Sequence, residues 1–236
     1  MILLTDIPWP SPPKQVGLAG DEVHVWVAVL DPPGLPFQSL ERSLSSDELR
    51  RADRFHFEKD HRHYVVSRAL LRVILGRYLD LEPSQIRFEH NPHGKPFLAR
   101  ELHGDTLRFN VSHSHGIALY AVTYSREIGI DVERIRKHAD RETIAERFFS
   151  AQEAAMIRAV SEDLRDRAFF ACWTRREAYL KVRGEGLSPS RGTEEFDVDH
   201  SALPWSFVEI TSIPGYVAAV AAEGHDWRLK CWRWPE

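Results

Sequence analysis

Apolar positions recur along this chain with two distinct periods. Alternation of apolar and polar residues predicts strands over 24–30, 107–111, 117–123, 128–132, 207–210, 215–222 and 227–232. Near-helical spacing predicts two long helices, over 60–79 and 163–182, each with one face toward a core. Shorter helices are expected after two capping boxes, which pair Ser45 with Glu48 and Ser150 with Glu153.

The order of these elements repeats, and parts of the sequence repeat weakly with it. Two pairs of segments resemble each other: 67–72 and 176–181, and 116–122 and 215–221. We therefore predict an α+β protein of two pseudo-symmetric halves, 1–127 and 128–236, each a long helix packed on a small antiparallel sheet. One functional site between the halves would follow, because clefts between domains favour ligand binding. The proline-rich segment 1–20 is expected to be a surface arm or a loose end.

Composition narrows the classes of protein that this sequence fits. With 236 residues the chain is long enough for one or two domains. A net charge of −4 argues against a strongly basic nucleic-acid binder. The two cysteines, Cys172 and Cys231, exclude a disulfide-built secreted scaffold and a four-cysteine zinc site. No apolar run approaches the ~20 residues that span a bilayer, so we expect a soluble, cytoplasmic protein without membrane or nucleic-acid partners.

Two acids form the first candidate site. In 128–133, Ile-Gly-Ile-Asp-Val-Glu, the period of a strand places Asp131 and Glu133 on one face. Two carboxylates on one face repel each other unless a cation lies between them, and hard oxygen ligands suit Mg²⁺. The alternative is a solvated strand edge without function.

The second long helix carries a mixed stripe. Trp173, Glu177 and Lys181 recur every four residues and share one face. Glu177 and Lys181 alone would be an ordinary surface pair worth ~0.2–0.5 kcal/mol. The aromatic residue in line with them suggests a packed helix instead, so that Glu177 would complete a metal site with the two strand acids.

A polar segment and a basic cluster remain. Segment 110–115, Asn-Val-Ser-His-Ser-His, lies between two apolar strands and is either a polar turn or a functional site. In a functional site it would bind phosphate, His113 would act as a general base, or His113 and His115 would bind a metal. The basic residues around Arg51 and Arg54 form either a solvated helix face or part of an anion site.

Taken together, these segments resemble the 4′-phosphopantetheinyl transferases of the surfactin-synthetase-activating (Sfp) type. The motifs that carry the resemblance are Gly-Lys-Pro at 94–96, Phe-Asn-Val-Ser-His-Ser at 109–114, Ile-Gly-Ile-Asp-Val-Glu at 128–133, Phe-Phe-Ser-x-x-Glu at 148–153, Trp-x-x-x-Glu-Ala-Tyr-x-Lys at 173–181 and Gly-x-Gly-Leu at 184–187. They occur in this order, and the resemblance spans residues from about Leu44 to Leu187, more than half of the chain. Family members of this size are monomers of two pseudo-symmetric α+β halves, which agrees with the repeat.

The resemblance implies an enzyme that moves the phosphopantetheine arm of coenzyme A to a serine of an acyl or peptidyl carrier protein, releasing 3′,5′-ADP. Such carriers serve fatty-acid, polyketide or nonribosomal peptide synthesis. It implies Mg²⁺ on Asp131, Glu133 and Glu177. Glu177 or a metal-bound water would be the base for the carrier serine, and Lys181 would stabilise or protonate the leaving phosphate.

The resemblance also implies a binding site for coenzyme A. Its residues are Arg51, Arg54, Lys95, Pro96, Ser112, His113, Asp131 and Lys181. Ser112 and His113 would contact the phosphates, Lys95 would lie on the adenine side, and Arg51 would lie near the 3′-phosphate. Glu48 and His63 stand where better-known members have basic residues, so the grip on the 3′-phosphate is expected to differ here.

Two other classes fit part of the pattern. A divalent-metal phosphodiesterase or nuclease would use the same three acids, although the net charge of −4 argues against a nucleic-acid substrate. A non-catalytic module that binds coenzyme A or a protein would need none of them for catalysis. For the transferase, a carrier-binding surface is expected over 184–198, where Leu187 and Phe196 are either exposed contacts or core residues.

Overall fold

The computed structural model describes residues 2–4, 7–102, 106–184 and 204–235, and of residues 2–4 the backbone alone. The strands are β1 (Ile2–Leu4), β2 (Glu22–Val29), β3 (Phe88–His90), β4 (Pro96–Leu98), β5 (Leu107–Ser114), β6 (Ile117–Tyr124), β7 (Ile128–Arg134), β8 (Trp205–Ile210), β9 (Tyr216–Glu223) and β10 (Arg228–Arg233). The helices are α1 (Phe37–Glu41), α2 (Ser46–Ala52), α3 (Glu58–Leu79), α4 (Arg141–Phe148), α5 (Ala151–Ala159) and α6 (Glu162–Arg183). None of the helices in these ranges is long and apolar enough to cross a membrane.

The main strands form two four-stranded sheets. The first sheet has the order β10-β2-β6-β5 and the second has the order β1-β8-β9-β7. Three strands of each are antiparallel, as predicted, but β10 pairs with β2 and β1 with β8 in parallel. The sheets are therefore mixed, which corrects the expectation of purely antiparallel sheets. Each chain end contributes a strand to the sheet that the other half of the chain builds.

Four layers result from the packing of these elements. The inner faces of the sheets share one apolar core, to which Val25 contributes from β2 and Ile130 from β7. Helix α3 covers the outer face of the first sheet, where Leu71 joins a cluster with Trp26. Helix α6 covers the outer face of the second sheet, with Ala178 in its apolar cluster. The order helix, sheet, sheet, helix confirms the mixed α+β class.

The long helices agree with their sequence periods. Helix α3 begins two residues before the predicted start, and α6 extends one residue beyond the prediction at each end. Both end in a left-handed residue, Asp80 with φ 54° and Gly184 with φ 67°, which satisfies terminal carbonyl groups. The capping boxes that begin at Ser45 and Ser150 are both formed, which confirms the predicted starts of α2 and α5.

The described part of the N-terminal segment lies as an arm against the fold. The Trp9 indole Nε1 donates to Ser212 Oγ over 2.9 Å. The Arg233 amide nitrogen donates to the Pro10 carbonyl oxygen over 2.9 Å. These contacts hold the arm beside β10 and the segment that precedes β9.

Candidate active site

Strand β7 lies at one edge of the second sheet and carries the two acids. Ile130 and Val132 point into the core between the sheets and are buried. Asp131 and Glu133 point to the opposite face, as the alternation predicts. Asp131 is only 5% exposed and Glu133 is half-buried, so this face is covered rather than solvated.

Helix α6 covers that face because Gly129 allows it to approach closely. A Cβ atom on Gly129 would lie 2.0 Å from the Ala178 carbonyl oxygen and 2.6 Å from the Val182 amide nitrogen. Only glycine is compatible with this contact between backbones. The contact brings the turn of α6 that contains Glu177 and Lys181 beside the strand acids.

Lys181 reaches from α6 to β7. Its ammonium nitrogen donates to Asp131 Oδ1 over 2.7 Å and to the Ile130 carbonyl oxygen over 3.0 Å. Ser112 Oγ donates to the same Asp131 Oδ1 over 2.8 Å. Asp131 Oδ2 is buried and has no hydrogen-bond partner among the described residues. A buried carboxylate oxygen without a partner is costly, which makes it a strong candidate for contact with a ligand.

The three acids interact electrostatically. Burial first, and then the charges of Asp131 and Glu133, raise the pKa of Glu177 to about 7, although Lys181 opposes the shift. Burial first, and then Asp131, raise the pKa of Glu133. Such mutual repulsion arises only when carboxylates lie close together in a poorly solvated place. A bound cation would relieve it.

The donor set therefore fits a hard divalent cation, with one reservation of geometry. Asp131, Glu133 and Glu177 supply carboxylate oxygens, including the unpartnered Oδ2 of Asp131. Within the described ranges, however, no three or more Asp, Glu, His or Cys side chains are already grouped as metal ligands. Lys181 supplies the positive charge next to Asp131 instead. Coordination by all three acids would require their side chains to turn toward one point.

Ser112 and His113 lie beside these acids at the end of β5. The hydroxyl of Ser112 is buried and bonded to Asp131, while His113 is exposed. Partial desolvation, followed by the charges of Lys181 and His63, lowers the pKa of His113. His63 itself, at a position where the resemblance led us to expect a basic residue, pairs with Asp31. A neutral His113 at this rim would donate one hydrogen bond to a phosphate without adding charge.

Lys95 and Pro96 lie behind the acids, where the turn before β4 meets both sheets. The Lys95 ammonium nitrogen donates to the Lys181 carbonyl oxygen over 2.6 Å and to the Ile128 carbonyl oxygen over 3.1 Å. Burial lowers its pKa, against the nearby charge of Glu127. Lys95 thus ties the end of α6 to the start of β7. A cavity of about 460 Å³ opens beside it, and its lining includes Pro96, Arg108, Glu127, Arg183 and Trp205.

The basic residues around α2 lie at the surface of the protein. Arg51 and Arg54 are both exposed, and the Arg51 guanidinium lies 5.8 Å from the ring centre of Tyr64. Neither residue has a described contact with the three acids. Glu48 is buried, and its two carboxylate oxygens accept from Arg68 Nε over 3.1 Å and from Arg72 Nε over 2.8 Å. Glu48 therefore forms ion pairs with two arginines of α3, which explains an acid at this position.

The structure also gives a role to a residue that the sequence did not single out. Ser114 Oγ donates to Glu133 Oε2 over 2.9 Å, just as Ser112 donates to Asp131. The available signal was the equal spacing of the two serines and the two acids. Of the expected carrier surface, Leu187 and Phe196 lie outside the described residues.

Comparison with known proteins gives consistent matches over both parts of the chain. Residues 31–125 match the family described as 4′-phosphopantetheinyl transferase, N-terminal, and residues 127–228 match the 4′-phosphopantetheinyl transferase superfamily. The 4′-phosphopantetheinyl transferase HetI of Nostoc sp. is 40% identical over 96% of this chain and 98% of its own length. The 4′-phosphopantetheinyl transferase Sfp of Bacillus subtilis is 28% identical over 78% of this chain and 84% of its own length.

Proposed function

This chain belongs to the 4′-phosphopantetheinyl transferases, and from that premise we propose that it transfers the phosphopantetheine arm of coenzyme A to a carrier-protein serine. In this reaction the serine oxygen bonds to the phosphorus that carries the arm. The bond from that phosphorus to the bridging oxygen of the pyrophosphate breaks, and 3′,5′-ADP leaves. The acceptor would be an acyl or peptidyl carrier protein of fatty-acid, polyketide or nonribosomal peptide synthesis.

The observation that carries this proposal is the meeting of three acids and one lysine where α6 crosses β7. Asp131 and Glu133 come from the strand, and Glu177 and Lys181 come from the helix. A pyrophosphate brings negative charge, so a site built from acids can bind it only together with a cation. Asp131, Glu133 and Glu177 would hold Mg²⁺, which would neutralise charge on the pyrophosphate.

The residues of this chain would divide the remaining work. Glu177 would accept the proton of the carrier serine, directly or through a bound water, because general-base catalysis needs an acceptor beside the attacking oxygen. Lys181 would leave Asp131 for the phosphate oxygen that gains charge as 3′,5′-ADP departs. Two positive groups near Asp131 are tolerable when phosphate oxygens lie between them.

Other residues would hold the nucleotide. His113 stands exposed beside the acids and would contact the phosphates, whereas the Ser112 hydroxyl already donates its proton to Asp131. The turn with Lys95 and Pro96 borders the cavity and would lie on the adenine side of bound coenzyme A. Arg51 and Arg54 would reach the 3′-phosphate from α2 and the turn that follows it.

The division of the chain follows the same proposal. We propose two pseudo-symmetric halves, 1–127 and 128–236, with the active site between them. Support comes from the matched families, which meet between residues 125 and 127. Further support comes from the topology. In each half a strand is followed by a long helix and then by a hairpin of two strands, and the second hairpin strand lies between the other two strands in the sheet. We further propose a cytoplasmic monomer that requires neither a membrane nor a nucleic acid.

A direct assay tests the proposed function. The purified protein is incubated with coenzyme A, Mg²⁺ and a panel of apo-carrier proteins, and each carrier is weighed by mass spectrometry while 3′,5′-ADP is measured. We expect at least one carrier to gain the phosphopantetheine arm in proportion to the 3′,5′-ADP released. Glu177→Gln should lose the transfer, whereas Glu146→Gln, at an exposed position on α4, should retain it. Cleavage of coenzyme A without modification of any carrier would instead identify a phosphodiesterase.

A further inference from the structure

The outer edge of β7 is closed by side chains rather than by another strand. Its other edge pairs with β9, and β7 is the last strand of the second sheet. Three alternate residues of β5 accept hydrogen bonds from three alternate backbone amides of β7. The pairs are Asn110 Oδ1 with the Ile130 amide at 2.8 Å, Ser112 Oγ with the Val132 amide at 3.3 Å, and Ser114 Oγ with the Arg134 amide at 3.3 Å. Each partner lies 20 residues later in the chain.

These three contacts between β5 side chains and β7 amides form a seam. Its two serines each make a second hydrogen bond that Asn110 does not make. Each hydroxyl accepts a hydrogen bond from one β7 amide and donates its single proton to the carboxylate of the β7 residue just before that amide. Ser112 Oγ donates to Asp131 over 2.8 Å, and Ser114 Oγ donates to Glu133 over 2.9 Å. Residue 129, which precedes the partner of Asn110, is glycine and offers no carboxylate. The seam therefore has serine hydroxyls at the two positions beside an acid, and a side-chain amide, that of Asn110, at the position without one.

The surroundings of the two serines favour hydrogen bonds from their hydroxyl groups to the acids. Ser112 and Ser114 are both buried, at 8% and 7% exposure, so water competes weakly for them. Ser114 Oγ also lies 3.1 Å from His115 Nδ1. An ionised carboxylate is a stronger acceptor than an imidazole nitrogen, so Ser114 Oγ donates its hydrogen bond to Glu133 and accepts one from His115 Nδ1.

We propose that Ser114 is a positioning residue that holds the Glu133 carboxylate beside Asp131, ready for a divalent cation. Ser112 holds Asp131 in the same way. The two serines and the two acids are each two residues apart on their strands, so each serine faces one acid. The inference rests on the proposed function only in taking the cation to be the one that this reaction needs. Outer partners that orient ligands commonly change metal affinity by 10–100-fold.

The test measures cation binding without catalysis. Binding of Mn²⁺ is followed by electron paramagnetic resonance, with and without coenzyme A, for the wild type, Ser114→Ala, Ser114→Thr and Asn110→Ala. We expect Ser114→Ala to weaken Mn²⁺ binding about tenfold, and Ser114→Thr, which keeps the hydroxyl, to restore most of it. Asn110→Ala breaks the seam without touching an acid, so it should lower the melting temperature and change Mn²⁺ affinity little.

A double-mutant cycle guards against a general loss of structure. If Ser114 acts through Glu133, then Ser114→Ala should weaken Mn²⁺ binding no further in a Glu133→Gln background. Wild-type affinity in Ser114→Ala, or equal weakening by Asn110→Ala, would overturn the proposal, as would a wild type that binds no Mn²⁺ in either condition. A wild type that binds Mn²⁺ but modifies no carrier would contradict the proposed function and leave this inference standing.

Discussion

The Lys181 ammonium nitrogen lies 2.7 Å from Asp131 Oδ1, so that the helix supplies the positive charge beside the strand acid. Both groups are largely buried, and Asp131 keeps a second oxygen without a partner among the described residues. The ion pair therefore uses only one of the two carboxylate oxygens of Asp131. In the proposed reaction Lys181 exchanges this partner for the leaving phosphate, while the unpartnered Oδ2 of Asp131 is available for the cation.

Replacement of Lys181 tests this exchange. Lys181→Ala should lower kcat about 10²–10⁴-fold with a smaller change in the KM for coenzyme A, because charge on the leaving group grows in the transition state. Lys181→Arg should recover part of kcat if charge dominates, and little if the lysine must give up a proton. Steady-state kinetics with a carrier protein measure both constants, with the exposed Lys137→Ala as control. A rise in KM alone would make Lys181 a ground-state binder.

The raised pKa of Glu177 predicts how stability depends on pH without metal. In the folded protein this pKa is about 7, above the value of 4.5 for an unperturbed glutamate, so the native state binds more protons between these pH values. The free energy of unfolding should therefore fall as pH rises from about 4.5 to about 7. Glu177→Gln cannot ionise and should be more stable than the wild type at pH 8, by on the order of 2 kcal/mol after allowance for partial exposure.

Urea unfolding at pH 5 and pH 8 in a chelating agent measures this difference. The gain from Glu177→Gln should nearly vanish at pH 5, where the wild-type side chain is mostly protonated. Glu146→Gln, at an exposed position, should show no such dependence on pH. An equal gain from Glu177→Gln at both pH values would show that ionisation of Glu177, disfavoured by burial and by the neighbouring acids, is not its cause.

Buried Glu48 should be important for stability rather than for catalysis. Glu48→Ala would leave Arg72, which is 2% exposed, without its carboxylate partner. Loss of one member of a buried ion pair costs about 3–5 kcal/mol. Ser45→Ala removes only the hydroxyl of the same capping box and should cost about 1 kcal/mol. Urea unfolding compares the two, and equal losses would mean that Glu48 acts through the cap alone.

The long amphipathic elements were the predictable part of the fold. Helices α3 and α6 each repeat an apolar face over 22 residues, enough to fix their ends within two residues. The parallel pairing of β1 with β8 and of β10 with β2 joins segments from opposite ends of the chain. Local sequence carries no signal for such long-range partners. Short elements such as α1, β3 and β4 were missed because three to five residues cannot show a period.

The candidate site divides in the same way. Period two in β7 placed Asp131 and Glu133 on one face, helical spacing placed Glu177 and Lys181 on one face of α6, and the resemblance assigned roles to all four. The partnership of Lys181 with Asp131 was not predictable, because it depends on where α6 crosses the sheet. The contact of Ser114 with Glu133 was missed for a related reason: the two strands meet through side chains, so no backbone pairing pattern marks their register.

Gly129 sets that crossing point, so Gly129→Ala should disturb fold and site together. The added Cβ would meet two backbone atoms of α6, which cannot rotate away as a flexible side chain would. Overpacking of this kind costs about 1–3 kcal/mol, and the helix must shift outward and carry Glu177 and Lys181 away from Asp131. We therefore expect a lower melting temperature and, in the protein that remains folded, weaker Mn²⁺ binding and a lower kcat. Gly17→Ala, where a Cβ meets nothing within 4 Å, is the matched control. Wild-type Mn²⁺ affinity and kcat in a stable Gly129→Ala protein would show that the close approach of α6 to β7 does not position the site.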